Sequence, residues 1–395
     1  MKLELIATAA FGLEAVVKRE IEALGYKILK SEDGKITFLG DERALVRANL
    51  WLRCADRVLL KQGEFMAKEF EELFQQTRGI PWEQLIPPDG RFTVTGSSVK
   101  SVLHSVPACQ SIVKKAVVER LKEYYGIEKF PETGADYTVR VTMLKDRATI
   151  TVDTTGEGLH KRGYRKASVP APVKETIAAA MIQLSFWNKD RILVDPMCGS
   201  GTIAIEAALI GRNIAPGLQR SFAFEGWEFI GEKLVSEERK RAYGLIDYDS
   251  KLHISGFDID TRAVEAAGIN ADLAGVAEDI NFKQMAVKDF RPEGENGIII
   301  TNPPYGERIG EKKKIEKIYI DINELLTQHE DWSCFAISPD REFEKKAFGR
   351  PADRRRKLYN GNIQVCFYQY HGKRKETAGR QAEKTGKQAE NRSDK

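Results

Sequence analysis

Two short stretches of this 395-residue chain bring together residues able to do chemistry: DPMCGSGT at 195–202 and NPPY at 302–305. In TNPPYGERIG, 301–310, an Asn, two prolines and a Tyr leave a run of three isoleucines. Proline fixes its own φ and restricts the residue before it, so Asn302 and Tyr305 are expected on a stiff, extended loop at the end of a buried strand. The Asn302 side-chain carbonyl and the Pro303 backbone carbonyl are two rigid acceptors for the hydrogens of an NH2 group. Tyr305 offers a ring on which an unstacked base can rest. Such a set suits methylation of an exocyclic amine, whose delocalised lone pair must be localised and aimed at the methyl donor. An amide is no general base, so the N–H proton is expected to leave to water after transfer. The structural alternative is a rigid Pro-Pro turn with an Asn cap. Cysteine-based attack on a pyrimidine ring is not expected, because no Pro-Cys dipeptide occurs.

RILVDPMCGSGTIAIEAA (191–208) reads as strand, acidic residue, glycine loop and helix. Gly199 and Gly201 let the backbone turn tightly and approach a ligand, and the helix that Thr202 opens presents free N–H groups. A dinucleotide-binding loop would carry its ribose-binding acid about 20 residues further on and no charge beside the pyrophosphate. Here Asp195 sits at the strand end, where its charge suits the amino group of a methionine moiety. The candidate ribose acid is Asp258 in ISGFDID, beyond an inserted segment. Asp289 in VKDF is a candidate partner for an adenine amino group, or else a turn residue before RPEG. The expected cofactor is S-adenosylmethionine, held by Asp195, Gly199, Gly201, Thr202, Asp258 and Asp289. Cys198, inside the loop, reads as a small side chain in a crowded turn rather than a nucleophile.

These loops need elements to position them. From 190 the pattern alternates: strand 191–195, helix 201–211, strand 253–258, helix 261–273, strand 280–283, strand 297–301, helix 312–326, strand 333–338. Such alternation predicts a parallel doubly wound α/β sheet. KLYNGNIQVCFYQY then places Asn360-Gly361 between two strand-like runs, a type I′ hairpin signal. A parallel sheet closed by an antiparallel hairpin is the class I methyltransferase fold. Residues 1–66 read as βαββαβ, a ferredoxin-like order with strands at 3–8 and 57–65, and 67–158 as a second α+β unit. The catalytic unit is expected over 159–371, with a Gly-, Pro- and Lys/Arg-rich linker at 159–172.

Composition narrows the class. Hydrophobic content of 42% and charged content of 30% are those of a globular protein. The net charge of +4 resides in residues 372–395, where eight Lys/Arg face four Asp/Glu; residues 1–371 balance. That tail lacks large apolar residues and is expected to be disordered. Any nucleic-acid surface must therefore be a local patch. Five scattered cysteines without a CxxC pair argue against a disulfide framework or structural zinc and for a reducing cytosol. Five histidines without HExxH predict no metal site. No bilayer-length apolar run and no signal peptide are found, so a cytoplasmic protein without membrane association is expected.

DPMCGSGTIAIEAALIGRNIAPG, GFDID and TNPPYGERIG, in that order, resemble the THUMP-domain class I RNA methyltransferases. The resemblance spans roughly 1–371 and is closest to the bacterial family that methylates guanine N2 in large-subunit ribosomal RNA. It implies a THUMP domain over 67–158 that grips RNA and a S-adenosylmethionine-dependent catalytic domain. It also implies cofactor contacts at Asp195, Gly199, Gly201 and Asp258, with Asn302, Pro303 and Tyr305 at the target amine. Some proteins of this type carry a second methyltransferase domain; this chain is expected to perform one methylation, as a monomer. Candidate RNA contacts are Lys100, Lys114 and Lys115 in SSVKSVLHSVPACQSIVKKAVVERL, where Ser/Lys and a helix start can take phosphates. Arg162 and Arg165 in HKRGYR could guide RNA across the junction, and DRRRK (353–357) could add phosphate contacts. The aromatics of SFAFEGWEF read as sheet cover. Two other readings remain: an N6-adenine methyltransferase on RNA or DNA, and a non-catalytic RNA-binding assembly factor.

Overall fold

The computed structural model describes residues 2–167, 172–304, 312–361 and 363–373. The chain opens with β1 (Leu3–Ala9), α1 (Glu14–Ala23), β2 (Lys27–Glu32), β3 (Lys35–Gly40), α2 (Glu42–Trp51) and β4 (Ala55–Met66). It continues through α3 (Phe70–Arg78), β5 (Arg91–Val99), α4 (Val106–Tyr125), β6 (Asp136–Leu144) and β7 (Arg147–Asp153). The ferredoxin-like and THUMP units do not stand apart. Their strands form one seven-stranded sheet in the order β2-β3-β1-β4-β7-β6-β5. The join is β4, whose twelve residues exceed the usual strand length. Its first half pairs with β1 and its second half with β7, with the register shifting between Lys61 and Gly63.

The second sheet follows α5 (Glu175–Leu184). It is built by β8 (Leu193–Asp195), α6 (Thr202–Gly211), α7 (Glu232–Gly244), β9 (Ile254–Asp258), α8 (Thr261–Ala274) and β10 (Ile280–Gln284). Then come β11 (Ile298–Thr301), α9 (Lys312–Gln328), β12 (Ser333–Ser338), α10 (Phe343–Ala347), β13 (Arg354–Asn360) and β14 (Ile363–Tyr370). The strand order is β10-β9-β8-β11-β12-β14-β13, parallel from β10 to β12 and antiparallel from there. The chain winds outward from β8 through β9 to β10, then returns to β11 on the other side of β8. That reversal opens a crevice outside the carboxyl ends of β8 and β11, where open α/β sheets bind ligands. Strand β11, IIIT, is buried at all four positions, as its unbroken apolar run requires. The hairpin is present with its loop one residue later than expected. Asn360 is paired with Ile363, so Gly361, at φ +64°, starts the loop instead of ending it.

The segment expected to be a linker is partly interior. Leu159, Arg162 and Tyr164 are buried. The Arg162 guanidinium pairs with Glu206 of α6 at 3.3 Å and donates to the carbonyls of Leu159 and Arg53; the Tyr164 hydroxyl donates to the same Glu206 carboxylate at 3.1 Å. A buried guanidinium so committed cannot reach RNA, which corrects the reading of Arg162 as an RNA contact. The inserted segment between α6 and β9 also binds the halves together. Arg43 and Arg47 of α2 clasp Glu238 of α7, with Arg47 Nε 2.6 Å from the carboxylate. Trp227 stacks on Tyr137 of β6 at 5.0 Å between centroids and donates to the Asp136 carbonyl, so the SFAFEGWEF aromatics cover structure as expected. Among the described residues no helix is long and apolar enough to cross a membrane. Removing one partner of a buried pair costs about 3–5 kcal/mol. E206Q should therefore lower the urea unfolding midpoint of the protein sharply, whereas R91Q, which breaks an exposed pair with Asp136, should leave it unchanged.

Candidate active site

Asp195 ends β8 and is 1% exposed. Its Oδ1 accepts from the Thr301 hydroxyl at 2.9 Å and from the Met197 N–H at 3.3 Å. Thr301 is the last residue of β11, fully buried, and the next residue is Asn302. One hydrogen bond thus fastens the strand end that carries the glycine loop to the strand end that carries NPPY. Asn302 is half-buried and Pro303 buried at the start of that loop. Tyr305 lies outside the described residues.

The glycine loop is a tight turn. Gly199 and Gly201 hold φ of +52° and +82°, a region that favours glycine. A Cβ on Gly201 would come within 2.9 Å of Ala267 of α8, so the residue also lets α6 start close against its neighbour. The Gly199 N–H donates to Asp258 Oδ2 at 3.0 Å and the Asp260 N–H to Oδ1 at 3.0 Å. Asp258 therefore ties the loop to the end of β9, and each oxygen keeps a lone pair for a ligand hydroxyl. Ile259, between the two aspartates, is 74% exposed. Asp289 is exposed in the turn Val287–Asp289 beyond β10.

Burial pushes the Asp195 carboxyl up to about 7, against the lowering effect of the Thr301 and Met197 hydrogen bonds. Burial thus favours the neutral acid, and a cation beside it would favour the ionised form. The Cys198 thiol is driven far above its ordinary value, first by burial and then by Asp195 and Asp258, so it is no nucleophile. Carboxylates for an ammonium and a diol beside a glycine turn form a set that fits S-adenosylmethionine.

The side chains of two expected contacts take other roles. The Thr202 hydroxyl, in a 3% exposed residue, accepts from Arg165 Nη2 at 2.8 Å. Arg165 also donates to the Val173 carbonyl at 2.7 Å and faces the Glu175 carboxylate at 3.2 Å. Both side chains are used in strapping the junction segment to the start of α6, so the RNA role of Arg165 does not match its surroundings, while a cofactor contact of Thr202 would fall to its N–H at the helix start. Lys100, just past β5, and Lys114 and Lys115, on α4, are exposed on the THUMP unit; Lys115 lies 5.4 Å over the Phe74 ring. In DRRRK, Arg355 pairs with Glu344 and Arg356 donates to the Gly12 carbonyl. Sequence reasoning passed over Thr301. Its signal was a hydroxyl closing an otherwise apolar buried strand.

Comparison with known proteins agrees with this geometry. Residues 4–59 match the RlmL ferredoxin-like domain, 67–153 the THUMP domain, and 162–369 the RMKL-like methyltransferase domain. The chain is 51% identical over 374 residues to YpsC of Bacillus subtilis (strain 168), which is provisionally named an RNA methyltransferase; the match covers 94% of this chain and 97% of that protein. SMU.472, provisionally a methyltransferase and solved in complex with SAH, shares 45% identity and a TM-score of 0.90 over 95% of this chain and 99% of its own. A protein from Listeria monocytogenes str. 4b F2365, described as a predicted N6-adenine-specific DNA methylase, shares 47% identity and a TM-score of 0.90 over 94% and 97%.

The raised Asp195 carboxyl has a measurable consequence. Its value lies above the ordinary 3.8, so the protonated form prevails from about pH 4 to 7. Stability drawn from the neutral, buried acid is present below that window and lost as pH rises through it. A bound ammonium favours the ionised form. S-adenosylhomocysteine should therefore bind more tightly as pH rises from 6 to 8 and release a proton on binding at pH 6. Calorimetry in two buffers of different ionisation enthalpy reads both effects, and D195N should weaken binding and abolish the proton release.

Proposed function

The chain belongs to the THUMP-containing RNA methyltransferases of the RlmL kind, and from that premise we propose that it methylates the N2 amine of a guanine in large-subunit (23S) ribosomal RNA. S-adenosylmethionine supplies the methyl group. The reading rests on one observation above others: the Thr301–Asp195 hydrogen bond, which sets the NPPY strand end beside the glycine-loop strand end. In this reading Asp195 takes the cofactor's ammonium, Asp258 its ribose hydroxyls and Asp289 its adenine amino group, while Gly199 and Gly201 keep the turn open to it. The Asn302 side-chain carbonyl and the Pro303 carbonyl accept the two amine hydrogens and turn the lone pair toward the methyl group. Tyr305 stacks on the extruded base, and the proton leaves to water. Lys100, Lys114 and Lys115 of the THUMP unit contact phosphates. The protein acts as a monomer in the cytoplasm and needs no metal.

A second reading, adenine N6, is favoured by the description of the Listeria relative. Guanine N2 and adenine N6 are both delocalised exocyclic amines and present the same two hydrogens to the acceptors. An intact cofactor loop, ribose acid and NPPY count against a non-catalytic assembly factor. Mass spectrometry of ribosomal RNA nucleosides from a deletion strain separates the three. Loss of N2-methylguanosine restored by the wild-type gene supports the proposal, loss of N6-methyladenosine replaces it, and no lost base removes ribosomal RNA as the substrate. Removing one preorganised polar group from a catalytic site costs on the order of 10²–10³-fold in rate. N302A should lower methyl transfer by about that factor and leave S-adenosylhomocysteine binding within two-fold of wild type.

A further inference from the structure

The hairpin that closes the catalytic sheet does not end level with it. Ser338, the last residue of β12, is opposite Cys366, yet β14 begins at Ile363 and β13 ends at Asn360. The hairpin tip therefore rises three residues, about 10 Å, beyond the carboxyl edge on which Asp195, Asp258 and Asn302 sit. On β13, Arg355, Lys357 and Tyr359 share one face. Arg355 is paired with Glu344 at 2.8 Å, whereas the Lys357 ammonium lies 5.6 Å over the Tyr359 ring.

Against this strand comes the β1–α1 loop of the ferredoxin-like unit. Phe11 meets Tyr359 edge to face, with centroids 6.1 Å apart and planes at 82°, and remains 49% exposed. The seam is fitted closely. Gly12, at φ +91°, passes so near the hairpin that a Cβ would lie 2.5 Å from the Lys357 carbonyl, and its own carbonyl accepts from Arg356 at 2.8 Å. The Asn360 side chain accepts from the Lys174 N–H at 3.3 Å, fixing the tip to the residue before α5. Two rings and a cation are thus held in place before any ligand arrives, by contacts that no role in the catalytic crevice demands. A partly exposed aromatic pair beside an ammonium, at the rim of a site for a base amine, has the chemistry of a single-strand platform: stacking for a base and charge for a phosphate.

We propose that the seam of Phe11, Lys357 and Tyr359 binds a single-stranded segment of the RNA substrate next to the target base, one base stacking on the aromatic pair and one phosphate meeting Lys357. The inference rests on the reading of the chain as an RNA methyltransferase, and it assigns the ferredoxin-like unit a direct part in holding substrate.

The test uses the full chain and a fluorescein-labelled, mixed-sequence single-stranded RNA of about 20 nucleotides, with its duplex for comparison. F11A/Y359A should raise the Kd for the single strand roughly 10-fold or more and that for the duplex much less. K357Q should flatten the dependence of log Kd on log salt by about 0.7, one phosphate contact. S-adenosylhomocysteine binding should remain that of wild type in both variants. A double variant that binds the single strand within two-fold of wild type overturns the inference, as does an equal loss on single strand and duplex. Failure of the wild type to bind the single strand also overturns it. Failure of the reaction itself reads differently: a wild type that binds the strand in a seam-dependent way yet methylates no ribosomal RNA removes the proposed activity and leaves the seam standing.

Discussion

The bond from the Thr301 hydroxyl to the Asp195 carboxylate is the contact on which the candidate site depends. Strands β8 and β11 are neighbours only because the chain reverses its winding between them, and their ladder runs through Leu193–Ile298 and Val194–Ile299. The backbone ladder aligns the strands, but it does not fix what their ends present. The side-chain bond does, because it joins the acidic residue before one loop to the residue before the other. In a setting where water is excluded, an unpartnered carboxylate oxygen would be costly, so Thr301 both steadies Asp195 and limits its rise to about 7. A carboxyl in that range can respond to an arriving cation, whereas one left at its ordinary value would be charged in either state.

A second constraint acts behind the loop. Helix α6 begins at the glycine turn, and the junction segment is bound to it twice: Arg165 to Thr202 at its start, Arg162 and Tyr164 to Glu206 one turn on. Arg162 also donates to the Arg53 carbonyl, so the ferredoxin-like unit is attached to the helix that carries the loop. Together with the α2–α7 clasp and the Trp227–Tyr137 stack, this makes the N-terminal sheet and the catalytic sheet parts of one packed body. The distance between the two sheets is thereby set.

Much of this was legible in the sequence, and the misreadings share a cause. The buried IIIT run, the alternation of strand and helix and the glycine turn are local signals, and each element formed where they placed it. Arg162 looked like an exposed cation because its neighbours in HKRGYR are Lys and Arg; only Glu206, far along the chain, makes it an interior residue. The single N-terminal sheet was hidden for the same reason, since β4 reads as one strand whatever its far half pairs with. Even the hairpin, a local feature, started its loop at Gly361 because pairing of Asn360 with Ile363 lets the Asn360 side chain reach the Lys174 N–H.

That last shift bears on how the two sheets cooperate. Had Asn360 been a loop residue, the hairpin would be shorter by a pair and its side chain would be turned away from the start of α5. Paired with Gln364, Tyr359 lies beyond the sheet edge and against Phe11. Gly12 permits the approach, because any side chain there would meet the Lys357 carbonyl. Among the contacts of the N-terminal unit with the catalytic unit, two differ in character. One is the interior charge network behind α6, closed to solvent; the other is the aromatic and basic seam at the open rim. The first fixes the distance between the units, and the second lies on the hairpin that rises beyond the carboxyl edge of the sheet. A unit whose only task was to hold the THUMP sheet in place would need the first contact alone.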